Sequence, residues 1–387
     1  QWVEPEGREG MNVFLAELGL RDTARFDREG FTRLLASRSI DASAHASVGS
    51  RANTSRHVDY RDASGHHYSG LTAEWPTMLA CLEESIFFPD FGGAELEKLR
   101  DDLRTRARLL PENNLEYIKQ EFYGTVYTGH PYGRPTFGTE ETLAAITPGE
   151  LAAYHAGNWT PDRTVVAVVG DVDPDEVAGW IAGRWSDVPG GPAEPWIPDA
   201  STPAVAWDPP TERQVVDLGK DYWTVNWGRP GVPAGHPDHD ASVVLARIVG
   251  SDHFYKYVYG EGVSYRSWIN FWPQLGPGTW IVENDVKRER FDEILAMFDE
   301  DLARYAAGGF ERQEFDDAVQ RLVNGYVLQS QDNDLMAFRL AVAEGNGVGV
   351  RHTTRAVERV RAVEWERVQR LAAEVFAPER ILRMVQQ

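Results

Sequence analysis

Ten histidines, one cysteine and sixty acidic residues are the groups in this 387-residue sequence that could hold a metal, attack a carbonyl or move a proton. Zinc-dependent hydrolysis needs histidines spaced to share one helical face, with a glutamate beside them to activate the metal-bound water. No H-x-x-E or H-x-x-E-H spacing occurs anywhere in the chain. His66-His67 is an adjacent pair, whose side chains diverge on either a helix or a strand. His236-x-x-His239 could share a face, since residues three apart on a helix are neighbours. With no cysteine near either pair, both read as exposed or capping histidines rather than ligands. Cys81 reads as a small buried apolar residue. No nucleophile triad, G-x-G-x-x-G fingerprint or G-K-[ST] phosphate loop is present.

The elements that would position such groups are legible in part. Thr147-Pro148-Gly149-Glu150 has an N-cap threonine, proline at the first helical position and glutamate at the third, a capping box. Asp173-Pro174-Asp175-Glu176 follows the same logic for the next helix. Between them, residues 164–170 read as a buried strand that ends at glycine. Residues 223–227 and 279–282 read as strands, and residues 290–305 and 311–329 as helices. This mixture without strict βαβ alternation predicts the α+β class. Residues 146–166 and 363–383 align without gaps, each an amphipathic helix leading to aromatic-x-Pro-acid-Arg and an apolar run. The offset of 217 residues suggests a duplicated domain. The Pro- and Gly-rich stretch 189–211 reads as a linker. The expected organisation is therefore an N-terminal lobe at 1–188, the linker, and a C-terminal lobe at 212–387.

The formal net charge of −21 argues against nucleic acid and anionic membrane surfaces as partners, and suits a basic peptide. No apolar run of membrane-spanning length and no secretory leader is visible. With a single cysteine, a reducing, cytoplasmic location is expected.

The segments Gly129-His130-Pro131-Tyr132-Gly133-Arg134-Pro135, Phe137-Gly138-Thr139-Glu140-Glu141-Thr142-Leu143, Asn158-Trp159-Thr160-Pro161-Asp162 and Val169-Gly170-Asp171-Val172-Asp173 resemble the M16 (pitrilysin/insulinase-type) zinc peptidases. Phe88-Pro89-Asp90-Phe91, His236-Pro237-Asp238 and Gly262-Val263-Ser264-Tyr265 extend the likeness over most of the chain. It implies two homologous α+β lobes in a clam-shell, of the two-domain subunit type. It also implies that the first lobe lacks its first strands, because family members carry two or so before the place of Glu4-Pro5-Glu6-Gly7.

Active M16 peptidases carry His-x-x-Glu-His on a helix and a further glutamate from a later helix. The resemblance aligns Gly10–Leu18 with that helix. Val13 then stands for the first histidine, Ala16 for the general base and Glu17 for the second histidine. The later glutamate falls within Thr105-Arg106-Ala107, centred on Arg106. Valine and alanine can neither ligate a metal nor move a proton, so no catalytic residue and no metal site is expected in this chain. The second lobe of an active enzyme supplies an arginine and a tyrosine, seven apart, that grip the substrate. Tyr265 matches the tyrosine and is the candidate substrate-binding residue; Val258 stands in place of the arginine. Lys256 and Arg266 lie nearby at the wrong rotational phase. The resemblance thus implies a non-catalytic subunit of a heterodimeric zinc metallopeptidase. Zn²⁺ would sit in a sister subunit, and the pair would process peptides, with leader removal one such task. The alternative is a peptide-binding or scaffold protein that has lost all part in proteolysis.

Overall fold

The computed structural model describes residues 3–46, 61–191, 205, 207–210, 214–219, 222–260, 262, 264 and 267–387. Tyr265, Arg266, most of the linker 189–211 and residues 47–60 lie outside the described residues.

The chain is α+β, and it divides into two compact units, each discontinuous in sequence. The first comprises residues 1–109, 134–200 and 330–350; the second comprises 110–133, 201–329 and 351–387.

In the first unit, helices α1 (Met11–Leu18) and α2 (Trp75–Phe87) pack on an antiparallel pair, β1 (Asp41–Ala46) and β2 (Ser64–Ser69), and α3 (Ala94–Leu109) packs on α1. The core is built from Phe14, Leu15, Leu99, Leu103, Leu143, Leu151 and Trp159.

In the second unit, helix α4 (Asn114–Val126) comes from the first half of the chain. A five-stranded sheet runs in the order β3 (Gln214–Val216), β7 (Leu382–Gln386), β4 (Tyr222–Pro230), β6 (Thr279–Lys287), β5 (Ser267–Trp272). All its pairings are antiparallel except β3 with β7. Because opposed residues share a face, Val225, Trp227, Val282, Val286, Ile269, Phe271 and Val385 form one apolar face. That face is buried with helices His239–Phe254 and Phe291–Ala306. Burying a side chain such as Phe298 there contributes on the order of 2–3 kcal/mol.

The repeat seen in the sequence has a structural counterpart. Helix α5 (Pro148–Asn158) is followed by a 3₁₀ turn at Pro161–Arg163, and helix α6 (Trp365–Val375) by one at Pro378–Arg380. Each boundary lies 217 residues from its counterpart. The capping box at Thr147 forms as expected: Glu150 N–H donates to Thr147 Oγ1 at 3.2 Å, and Thr147 N–H donates to Glu150 Oε2 at 2.8 Å. The two copies then part. After the second turn comes β7, which has strands on both sides. After the first, residues 164–169 make no ladder, and Val165 and Val168 are 36% and 38% exposed. The buried strand expected there does not form, because a strand needs a partner for its backbone N–H and C=O groups and none pairs with it among the described residues.

Candidate functional site

Helix α1 is the segment that the family resemblance aligns with the metal-binding motif. Its start requires glycine: Gly10 has φ +102°, and a Cβ there would lie 2.9 Å from Leu143 Cδ2. The unpaired N–H groups of its first turn are met by an unusual group. The buried Glu4 carboxylate, 3% exposed, accepts from Asn12 N–H at 2.9 Å. Burial pushes this carboxyl up from its ordinary value, while the backbone donors pull the other way.

Val13 and Ala16 face inward, 2% and 0% exposed. Both belong to the hydrophobic core of the first unit. Glu17 points the other way. Its carboxylate meets the Arg106 guanidinium of α3 at 2.9 Å and that of Arg21 at 3.5 Å. Arg21 in turn pairs with Asp102 of α3 at 2.9 Å. Arg106 also lies over the Phe137 ring, 5.4 Å from its centroid. Of the three candidates at 105–107, it is Arg106 that reaches Glu17. The structure therefore brings together two of the four motif positions, as an ion pair, and buries the other two among apolar groups.

At the other end of α1, the carbonyl of Ala16 is one of those left without an intrahelical partner. His66 lies against it, Nε2 to O at 2.7 Å. A carbonyl only accepts, so Nε2 carries the proton. Nδ1 is then the acceptor and faces Ser85 Oγ at 3.3 Å, while Tyr68 donates its hydroxyl to Ser85 Oγ at 2.9 Å. Burial holds His66 down at about 4, and burial with the neighbouring His66 and His67 holds His45 down at about 4. Three further histidines are engaged as well. His67 faces Asp334 at 3.6 Å, His155 meets the Ile86 carbonyl at 2.7 Å, and His130 Nδ1 accepts from Tyr132 N–H at 3.2 Å. Among the described residues, no group of three or more His, Cys, Asp or Glu side chains is disposed to hold a metal ion. A zinc ion does not fit the α1 positions, because two of them have no donor atom and the third is a carboxylate already paired with arginine.

In the second unit, Val258 is half-buried on a π-helical turn at Tyr255–Gly260. The neighbouring cation is committed elsewhere. Lys256 Nζ donates to buried Asp301 at 2.9 Å, and Tyr257 donates its hydroxyl to the same carboxylate at 2.8 Å. Lys256 is therefore not free to take the place that the family resemblance gives to an arginine. Neither Glu4 as a helix cap nor Asp301 as the anchor of Lys256 is visible in the sequence, because each acts across a tertiary contact with no local spacing to mark it.

Residues 145–322 match the family model described as the peptidase M16 inactive domain. A protein of Mycobacterium leprae described as an uncharacterized zinc protease is 25% identical over 275 residues, which are 69% of this chain and 61% of that protein. Two solved structures share the fold at 15% identity. One is the peptidase M16 inactive domain from Pseudomonas fluorescens, with a TM-score of 0.81 over 98% of this chain and 88% of that one. The other is a protease from Helicobacter pylori, with a TM-score of 0.84 over 100% of this chain and 91% of that one.

Proposed function

Because the chain belongs to the M16 peptidase family, we propose that it is the non-catalytic subunit of a two-chain zinc metallopeptidase. One observation carries this reading. The helix that would bear the metal motif has apolar residues at two motif positions, both in the core, and an arginine-paired glutamate at the third. Hydrolysis would then rest on a sister subunit that keeps the zinc ligands. This chain would close the chamber and help bind the peptide, with Tyr265 as a substrate contact. The two lobes, at 1–188 and 212–387, would form the clam-shell, and the location would be cytoplasmic.

Reconstitution tests the proposal. This chain and an M16 sister that retains H-x-x-E-H are purified separately, and peptide cleavage is measured for each and for the mixture. Activity that requires both chains supports the subunit reading. A sister equally active alone sinks it.

A second reading is favoured by the engagement of Lys256, two residues from Val258. With Lys256 held by Asp301, that lysine is no substitute for the substrate-gripping arginine. That suits a scaffold or peptide-binding protein outside proteolysis altogether. In that case the two chains co-purify, but removing this one leaves the cleavage rate unchanged.

A further inference from the structure

The second face of the five-stranded sheet carries polar side chains at the centre of β4 and β6, where the first carries Val225, Trp227 and Val282. Opposed pairs place Met384, Asn226, Glu283 and Trp268 in one cross-strand row, from β7 through β4 and β6 to β5. The adjacent row holds Gln386, Thr224 and Asp285. Helix α4 packs on β4 and β7, where Gly228 leaves room for the Phe122 ring. The β5–β6 side stays open to solvent: Trp268 is 41% exposed, and Glu283, Asp285 and Asn270 are half-buried.

Several buried polar groups of this face are without hydrogen-bond partners, among them the amides of Asn226 and Gln386. Asn226 is 1% exposed, and neither its amide nitrogen nor its amide oxygen makes a hydrogen bond. Such a group leaves an unmet desolvation cost that a folded sheet ordinarily avoids by placing valine or threonine there. Its neighbour across the strand pair, Glu283, has no counter-ion among the described residues. Asp285 lies one row further along the same strand, accepting from Thr224 Oγ1 at 3.3 Å. An unbonded amide, an unpaired carboxylate, a second carboxylate and an exposed indole thus share one sheet face.

We infer that this row is a subsite for a guanidinium side chain of a bound peptide. Glu283 would take the charge, and Asn226 Oδ1 would accept a further N–H. Trp268 would offer its ring at the rim, where a cation is attracted to the aromatic face. Arginine fits better than lysine, because its planar fork presents several donors at fixed angles to a carboxylate and an amide together. This inference rests on the reading of the chain as a peptide-binding subunit. It adds where the peptide's charge is read, and which basic residue is preferred.

The test uses the full chain and three fluorescein-labelled decapeptides, identical except for one central residue: arginine, lysine or the uncharged isostere citrulline. Binding is followed by anisotropy at low salt. The expected order is arginine, then lysine, then citrulline, with about tenfold between first and last, the equivalent of one buried charge-assisted contact. Glu283→Gln abolishes that preference. Asn226→Leu narrows it without lowering the urea midpoint, since the unbonded amide gives nothing to the fold. Glu366→Gln, an exposed charge on α6, leaves the preference intact. Three results overturn the subsite: equal binding of arginine and citrulline peptides, the native preference retained by Glu283→Gln, or its loss in Glu366→Gln, which would make it bulk charge. The broader reading fails differently, with no peptide bound by this chain and no cleavage by the reconstituted pair.

Discussion

The Glu17 carboxylate meets the Arg106 guanidinium at 2.9 Å, and so links α1 to α3. In the family resemblance, these are the places of the second histidine and the later glutamate, two groups a zinc ion would hold together. Here opposite charges join the same two helices without a metal. Around them the signs alternate, from Asp102 to Arg21 to Glu17 to Arg106.

The pair is partly exposed, 24% for the Glu17 side chain and 46% for Arg106, so solvent screening keeps its energy small. A double-mutant cycle with Glu17→Gln and Arg106→Gln is expected to give a coupling of about 0.5–1 kcal/mol by urea denaturation, smaller in 1 M salt. A coupling indistinguishable from zero at low salt would mean that the two side chains do not pair in solution.

Ala16 gives a larger effect. It is fully buried in an apolar core, so Ala16→Glu places a carboxylate and extra volume where neither fits. The expected loss is about 3 kcal/mol or more. A tolerated substitution would mean that this helix position opens on a cavity, as a catalytic base requires.

Acid should destabilise the first unit through its histidines. Both His45 and His66 are held near 4 in the fold, against about 6.5 in an unfolded chain. Between these values the unfolded state binds more protons, so stability falls as pH is lowered from 6.5 towards 4 and is fully present above 6.5. The expected loss across that window is about 2 kcal/mol or more. His66→Gln keeps a donor for the Ala16 carbonyl and should flatten the slope. An unchanged slope would place the acid sensitivity elsewhere.

Tyr127 anchors the end of α4 to the β6 end of the sheet within the second unit. Its hydroxyl lies 2.6 Å from the Gly278 carbonyl and 2.7 Å from Thr279 Oγ1. Tyr127→Phe should cost about 1–2 kcal/mol and speed amide exchange in β6 and α4 before β1 and β2. Uniform acceleration over the whole chain would show that the two units unfold together.

The sequence carried the fold class and much of the second unit, because the signals there are local. Strands at 223–227 and 279–282 and helices at 290–305 and 311–329 all appear, with ends shifted by a few residues. The capping box at Thr147 and the repeat at an offset of 217 residues were readable for the same reason. The apolar run 164–170 misled, because an alternating or continuous apolar pattern reports strand preference and says nothing about whether a partner strand is at hand. Position Arg106 could be named but its contact could not, since 89 residues separate it from Glu17 and no local spacing marks the pair. The polar row Asn226–Glu283–Trp268 was equally hidden: it exists only once the register of three strands is fixed.

The most direct test of the central claim is a paired measurement on this chain alone: zinc content by mass spectrometry after equilibration with the metal, and cleavage of a peptide library. The account predicts no bound zinc above that of a scrambled-charge control protein, and no cleavage until a zinc-bearing sister chain is added. Stoichiometric zinc in this chain, with hydrolysis in the absence of any partner, would contradict it.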